Sequence, residues 1–305
     1  MQGYLIRRIL QLLIVIFLAL TAVFFMQFLA GDPVILLLPM DATFEEIAEM
    51  RERLGFDDSI FVQYFRFVSR ALRGDFGPSL RHPQTAVQLV ISRIPATLEL
   101  ALIAVVVSLL VAIPIGVISA AFRGSWFDQV AIVVTVFGQA VPGFWLGIML
   151  ILFFSVTLEW LPTGGRGEFN NLILPIITLT AFYAARFARM TRSTVLDVLN
   201  TDYIRTARAK GLSESRVLYK HALRNASISI ITLLGLQLGQ LLGGAVVTET
   251  VFYWPGLGRL LVQSLLNRDF PVVFTGVFFI ALVHASLNLA VDLVYLLVDP
   301  RISYD

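Results

Sequence analysis

Residues 9–30 read ILQLLIVIFLALTAVFFMQFLA, a run of 22 residues without a charge, in which Gln11 and Gln27 are the only strongly polar side chains. An α-helix needs roughly 20 apolar residues to cross a hydrocarbon core of about 30 Å. This one stretch therefore predicts a transmembrane helix. Tyr4–Arg8 in front of it has the character of a signal-peptide n-region. The apolar run, however, exceeds the about 7–15 residues of an ordinary h-region and ends without a clear small-x-small cleavage site, so a retained first helix is expected.

Five further apolar stretches follow, at residues 97–122, 130–158, 172–188, 227–252 and 272–298. Pro114, Pro142 and Pro175 fall inside three of them, where proline kinks a helix or frees a carbonyl. Composition agrees with six spans. Of 305 residues only 14% are charged and 57% are hydrophobic, whereas a soluble domain carries roughly 25% charged residues. That balance excludes a soluble enzyme, a disordered chain and a coiled coil. It predicts an all-α polytopic membrane protein with six transmembrane helices. The chain has no cysteine, which removes disulfides, thiolate metal sites and thiol nucleophiles.

Basic residues orient such a chain, because short cytoplasmic loops carry the excess of Lys and Arg. Arg7 and Arg8 precede the first span, Arg123 follows the second, and residues 186–225 hold nine basic residues against three acids. With six spans these fall on one side, the cytoplasm, together with both termini. The expected organisation is a cytoplasmic tip and first helix (1–30), an extracytoplasmic subdomain (31–96), a transmembrane body (97–298) carrying a cytoplasmic segment (191–226), and a cytoplasmic tail (299–305). Within 31–96, Glu45–Leu54 and Ser59–Leu72 have amphipathic helical spacing, and Gly74-Asp75-Phe76-Gly77-Pro78 is turn chemistry. This subdomain either caps the outer face, or docks a partner or lines an entrance.

Few ionisable residues enter the spans. Glu99 and Glu249 sit near outer ends, Asp292 near an inner end and His284 deeper. A charge at the bilayer centre costs about 2.5–3.5 kcal/mol on insertion scales, so local pairing is expected, for Glu249 with Arg259 or Arg268. No connected row of such groups suggests a proton relay. No H-E-x-x-H, G-x-S-x-G or P-loop occurs, so no catalytic residues, no metal and no ATP hydrolysis by this chain are expected. Gly235, Gly239 and Gly243, at i, i+4 and i+8, make one smooth helix ridge. It serves plain packing, or lines a wide passage or slides against a neighbour, and Pro142 and Glu249 join these glycines as pathway or packing candidates.

The cytoplasmic segment is the most informative. Ser193–Lys210 reads as one helix, Gly211 as its stop, Ser213 as an N-cap with Glu214 in the first turn, and Ser215–Asn225 as a second, basic helix. A DNA-binding helix-turn-helix has the same pattern, but both ends here are tethered to the bilayer, so no nucleic acid is expected. A basic loop lying on anionic lipid and a docking element for a cytoplasmic protein remain.

The run Asp202-Tyr203-Ile204-Arg205-Thr206-Ala207-Arg208-Ala209-Lys210-Gly211-Leu212-Ser213, followed by His221-Ala222-Leu223-Arg224-Asn225-Ala226, resembles the "EAA" loop of ABC importer permeases. The likeness is to the branch that imports dipeptides, oligopeptides, glutathione or nickel. The general pattern is Glu-Ala-Ala, three residues, Gly, nine residues, Ile-x-Leu-Pro. Here Arg205-Thr206-Ala207 and His221-Ala222-Leu223-Arg224 replace its ends, and only Ala207, Gly211 and Leu223 match, as in the peptide branch. Gly31-Asp32-Pro33, Leu54-Gly55-Phe56-Asp57, Gly74-Asp75-Phe76-Gly77, Trp160-Leu161-Pro162, Trp254-Pro255-Gly256-Leu257-Gly258-Arg259, Arg268-Asp269-Phe270-Pro271-Val272 and Asp299-Pro300-Arg301 extend the resemblance along the whole chain.

The resemblance implies a type I ABC importer permease fold in a bacterial or archaeal inner membrane. It implies a second, related permease chain, two cytoplasmic ATPases that hold ATP and Mg, and a periplasmic or surface binding protein. Asp202, Arg205, Thr206, Ala207, Arg208, Lys210, Gly211, Leu212, Ser213, Arg216, His221 and Leu223 would form the ATPase-docking loop, with Ala207 and Gly211 small where two surfaces meet. No cofactor belongs to the chain itself. A stand-alone secondary carrier, which would work without an ATPase, and a non-transporting membrane anchor are the alternatives.

Overall fold

The computed structural model describes residues 2–29, 42–54 and 56–298. Gly31-Asp32-Pro33, Gly55, Asp299-Pro300-Arg301 and the tail expected at 299–305 lie outside them, as do the side-chain surroundings of Gly239 and Asp292. In chain order the helices are α1 (Gln2–Leu29), α2 (Phe44–Leu54), α3 (Ile60–Leu72), α4 (Ala86–Ala121), α5 (Trp126–Ala140), α6 (Gly143–Leu150), α7 (Asn170–Leu199), α8 (Asp202–Ala209), α9 (Glu214–Arg216), α10 (Leu223–Val251), α11 (Leu257–Leu266) and α12 (Phe270–Val298). Wider π-helical turns at Ile151–Thr157 and Val217–Ala222 extend α6 and join α9 to α10. The described residues contain no β-strand.

Among the described residues, four helical stretches are long and apolar enough to cross a membrane: Arg7–Met26, Ala86–Ala121, Asn170–Leu199 and Phe270–Val291. The stretch expected as a single third span is instead two helices, α5 and α6 with its π-helical extension, bent by 101°. Val141 precedes Pro142, and proline disfavours the α conformation in the residue before it. Val141 is accordingly extended (φ −73°, ψ 124°), and Pro142 opens the next helix. The glycine-rich fifth stretch lies on α10, 29 residues long.

Helix starts follow their caps. Thr43 and Glu46 bond each other's backbone amides at 3.3 and 2.8 Å, and Thr85 and Gln88 do the same at 3.3 Å each. These are capping boxes. The second one starts α4 at Ala86, eleven residues before the apolar stretch at 97.

The described residues divide into two compact units, those within 1–95 with 259–286 and those within 96–258 with 287–298. In the first, α3 lies on α1: the Tyr64 and Thr21 hydroxyls are 2.8 Å apart, and Phe24 meets Tyr64 edge-on at 5.2 Å. Asp269, fully buried, accepts from the Ser79 hydroxyl at 2.5 Å and the Leu80 amide at 3.0 Å. The Asp in Arg268-Asp269-Phe270 thus holds the loop after α3. In the second unit, one core joins α4, α7 and α10 through Leu100, Ala104, Ala112, Leu179, Phe187 and Ile230.

Candidate functional site

α7 carries the chain without interruption from the membrane stretch to Leu199, and the helix expected over Ser193–Lys210 is two helices. The break is local chemistry. Thr201 donates its hydroxyl to the Val198 carbonyl at 2.6 Å and takes an extended backbone (φ −82°, ψ 155°), the side-chain competition that ends helices. α8 then runs to Ala209. The Gly211 amide donates to the Arg208 carbonyl at 2.9 Å and the Leu212 amide to the Ala207 carbonyl at 3.3 Å. This is a Schellman stop, and it places Gly211 at φ +76°, where glycine carries no steric penalty.

Ser213 has the backbone of an N-cap, but its hydroxyl closes no cap bond. Glu214 closes the turn instead, accepting from Arg208 Nη2 at 2.5 Å and Nε at 3.1 Å. The guanidinium lowers the Glu214 pKa from its ordinary 4.5, and the carboxylate raises that of Arg208. The second helix expected at Ser215–Asn225 does not stop there. Helical backbone continues from Glu214 through the π-helical turns into α10.

This helix–turn–helix has two faces. Ile204, Ala207, Val217, Leu218 and Ala222 turn inward onto Val117, Ala120, Val195 and Ala226, with Leu212 and Leu223 at the margin. Asp202, Arg205, Thr206, Arg208, Lys210, Gly211, Ser213 and Arg216 are exposed, and His221 is half-buried. Ala207 packs against this chain's own helices. Gly211 has nothing of this chain within 4 Å of a Cβ position, and its left-handed backbone is a constraint in itself.

The other candidates separate. Gly235 is a close approach, since a Cβ there would lie 2.5 Å from Val291 Cγ1 of α12, whereas Gly243 faces open space. Pro142 makes the 101° break. Glu249 is fully buried, and its carboxylate accepts from the Thr97 hydroxyl at 2.6 Å. Thr97 in turn accepts from the Leu257 amide at 2.8 Å, and Trp254 Nε1 donates to the Ala96 carbonyl at 2.8 Å. A Cβ on Gly256 would strike the Glu249 carboxylate. The Trp254–Gly258 motif is therefore a turn built around Glu249. Glu99 pairs with Arg166 at 2.5 Å, and Arg166 also lies 5.7 Å over the Trp254 ring.

Two clusters went unforeseen. Asp128, almost fully buried, accepts from Arg192 at 2.6 and 2.8 Å, from the Gly124 amide at 2.9 Å and from the Ser119 hydroxyl. Arg186 donates to Gln237 Oε1 at 3.1 Å and lies 4.3 Å over the Phe182 ring. Both arginines belong to the basic run 186–225, and in the folded chain Arg186 is tied to α10 and Arg192 to α5. The Ser125-x-x-Asp128 spacing, with Asp128 N donating to Ser125 Oγ at 3.3 Å, was the one sequence signal for the first.

Comparison with known proteins places this geometry. The family model "Binding-protein-dependent transport system inner membrane component" matches residues 112–304, and its N-terminal companion matches residues 1–101. The glutathione transport system permease protein GsiC of Escherichia coli K12 is 42% identical over 305 residues, covering 100% of both chains. GsiC of Salmonella paratyphi A is equally similar, at 42% over 305 residues. Among solved structures, an inward-facing MetNI methionine ABC transporter matches with a TM-score of 0.60 at 20% identity, covering 70% of this chain and 97% of that one. An amino acid ABC transporter matches at 0.51 and 18% identity. At such identities the solved structures establish the fold.

Proposed function

Since the chain belongs to the family of binding-protein-dependent transport system inner membrane components, a non-catalytic membrane permease subunit of importers, we propose that it passes glutathione or a similar short peptide inward, driven by ATP hydrolysis on partner subunits. The single observation that carries the mechanism is the division of residues 202–222 into an apolar face packed on the chain's own helices and an exposed charged face. The exposed face offers Arg205, Lys210 and Arg216 around the Gly211 turn, a rim suited to an acidic groove on an ATPase. Two ATPases, a second and related permease, and a binding protein complete the assembly, and six spans with both termini in the cytoplasm orient it in a bacterial inner membrane. End-to-end identity with the glutathione permeases supports the cargo class.

The test is reconstitution of the chain with its partner subunits in proteoliposomes, following labelled glutathione. Uptake that needs ATP and the binding protein is expected. Uptake without any ATPase present would establish the secondary carrier instead, and ATPase binding without uptake the anchor.

A further inference from the structure

Arg186 stands far from the inner end of its span. Its partner Gln237 lies 14 residues from either end of the 29-residue α10, or about 21 Å at 1.5 Å per residue. Its own helix gives the same depth. Thr180 Oγ1 donates to the Ala104 carbonyl at 3.4 Å, and Gly116 abuts Ala188 and Thr191. Arg186 is therefore level with the middle of the apolar stretch of α4. Phe182, Arg186, Arg189 and Ser193 follow one another at helical spacing, and all four are at least partly uncovered. A charged side chain uncovered at that depth does not face lipid, because ionisable groups in spans face the bundle interior or a water-filled cavity.

We propose that Arg186 and Arg189 form a carboxylate-binding site inside the permeation pathway, which receives an acidic group of the cargo after the binding protein has released it. The proposal rests on the reading of the chain as a permease for peptide-like cargo. The planar guanidinium matches a carboxylate with two parallel N–H donors. Gln237 and the Phe182 face hold the Arg186 plane in a fixed orientation. Arg189, one turn nearer the cytoplasm and exposed, is placed to take the carboxylate next. A carboxylate of the partner permease is the competing occupant.

The absence of cysteine from this chain makes the face testable in the assembled importer. Arg189→Cys and Arg186→Cys are each treated with an anionic and a cationic methanethiosulfonate, with modification read as a mass shift on this chain. Labelling at both positions is expected. At Arg189→Cys the anionic reagent should react about tenfold faster, because Arg186 raises the local anion concentration, and Arg186→Gln should abolish that preference. No labelling with or without nucleotide would mean that lipid or the partner permease covers the face, and the proposal fails.

Uptake supplies the second arm. At saturating binding protein, Arg186→Gln should lower maximal glutathione uptake about tenfold, with Arg186→Lys losing less and binding-protein-stimulated ATP hydrolysis retained in both. Wild-type uptake by Arg186→Gln overturns the proposal. So does loss of ATP hydrolysis in both variants, which marks a tether between helices. If the unaltered importer takes up no glutathione, the cargo reading fails by itself, and the labelling preference alone decides this inference.

Discussion

Thr97 and Glu249, 152 positions apart in sequence, share a buried hydrogen bond of 2.6 Å that fastens the start of one apolar helix stretch to the end of another. Removing the carboxylate leaves the Thr97 hydroxyl and its neighbours short of an acceptor, and an unsatisfied buried polar group costs about 1–3 kcal/mol. Glu249→Ala should melt earlier than wild type in detergent, with Glu249→Gln, which keeps an acceptor, in between. Gly256→Ala should be at least as damaging, because its Cβ would meet Glu249 Oε1 at 2.1 Å. Equal melting of Glu249→Ala and wild type would sink this account of the Trp254–Gly258 turn.

Asp128 and Arg192 form a second lock. Taking one partner from a buried pair costs about 3–5 kcal/mol, because the remaining charge stays behind unpaired. Asp128→Ala and Arg192→Met should each destabilise strongly, and the double variant should lose less than the sum of the two. Additive losses in chemical unfolding would show that the pair is not coupled.

Gly211 separates two explanations of a small residue. Its φ of +76° with open space around the Cβ position makes the left-handed turn the constraint, worth about 1–2 kcal/mol for an ordinary side chain. Gly211→Asn, a residue that tolerates this conformation, should retain cargo moved per ATP hydrolysed. Gly211→Val should lower that ratio while membrane insertion survives. If Asn is as harmful as Val, contact and not conformation is what the glycine provides.

The Arg208–Glu214 pair sets a modest pH dependence. Arg208 lowers the Glu214 pKa below its ordinary 4.5. The stabilisation is therefore fully present above pH 4.5 and fades as the pH falls through the lowered value. Both groups are about half exposed (42% and 54%), so the pair contributes at most about 1 kcal/mol. Glu214→Gln should melt slightly below wild type at pH 7 and alongside it in strong acid. A gap that widens toward acid would contradict the assignment.

The membrane class and the helix–turn–helix were legible because both are written in local patterns, a 22-residue apolar run and a glycine stop. The long-range polar contacts were not. Glu249 finds Thr97 and Arg186 finds Gln237 across 152 and 51 positions, and no local spacing encodes such a pair. Arg192 falls in the segment expected to be cytoplasmic, where hydropathy drops, and α7 remains helical through it to Leu199. The eleven-residue lead of α4 was readable in Thr85-x-x-Gln88, a polar signal overshadowed by the apolar run behind it.

The unbroken helical backbone from Glu214 to Val251 gives the segment beside the Gly211 turn the character of a crank handle on its own shaft. At about 1.5 Å per residue the shaft is on the order of 55 Å long. A torque applied to the handle at Arg216 reaches the far end near Glu249 without passing through a loop. Timing between the two ends of such a shaft is set by its stiffness, and the π-helical turns at Val217–Ala222 are where its helical pitch changes.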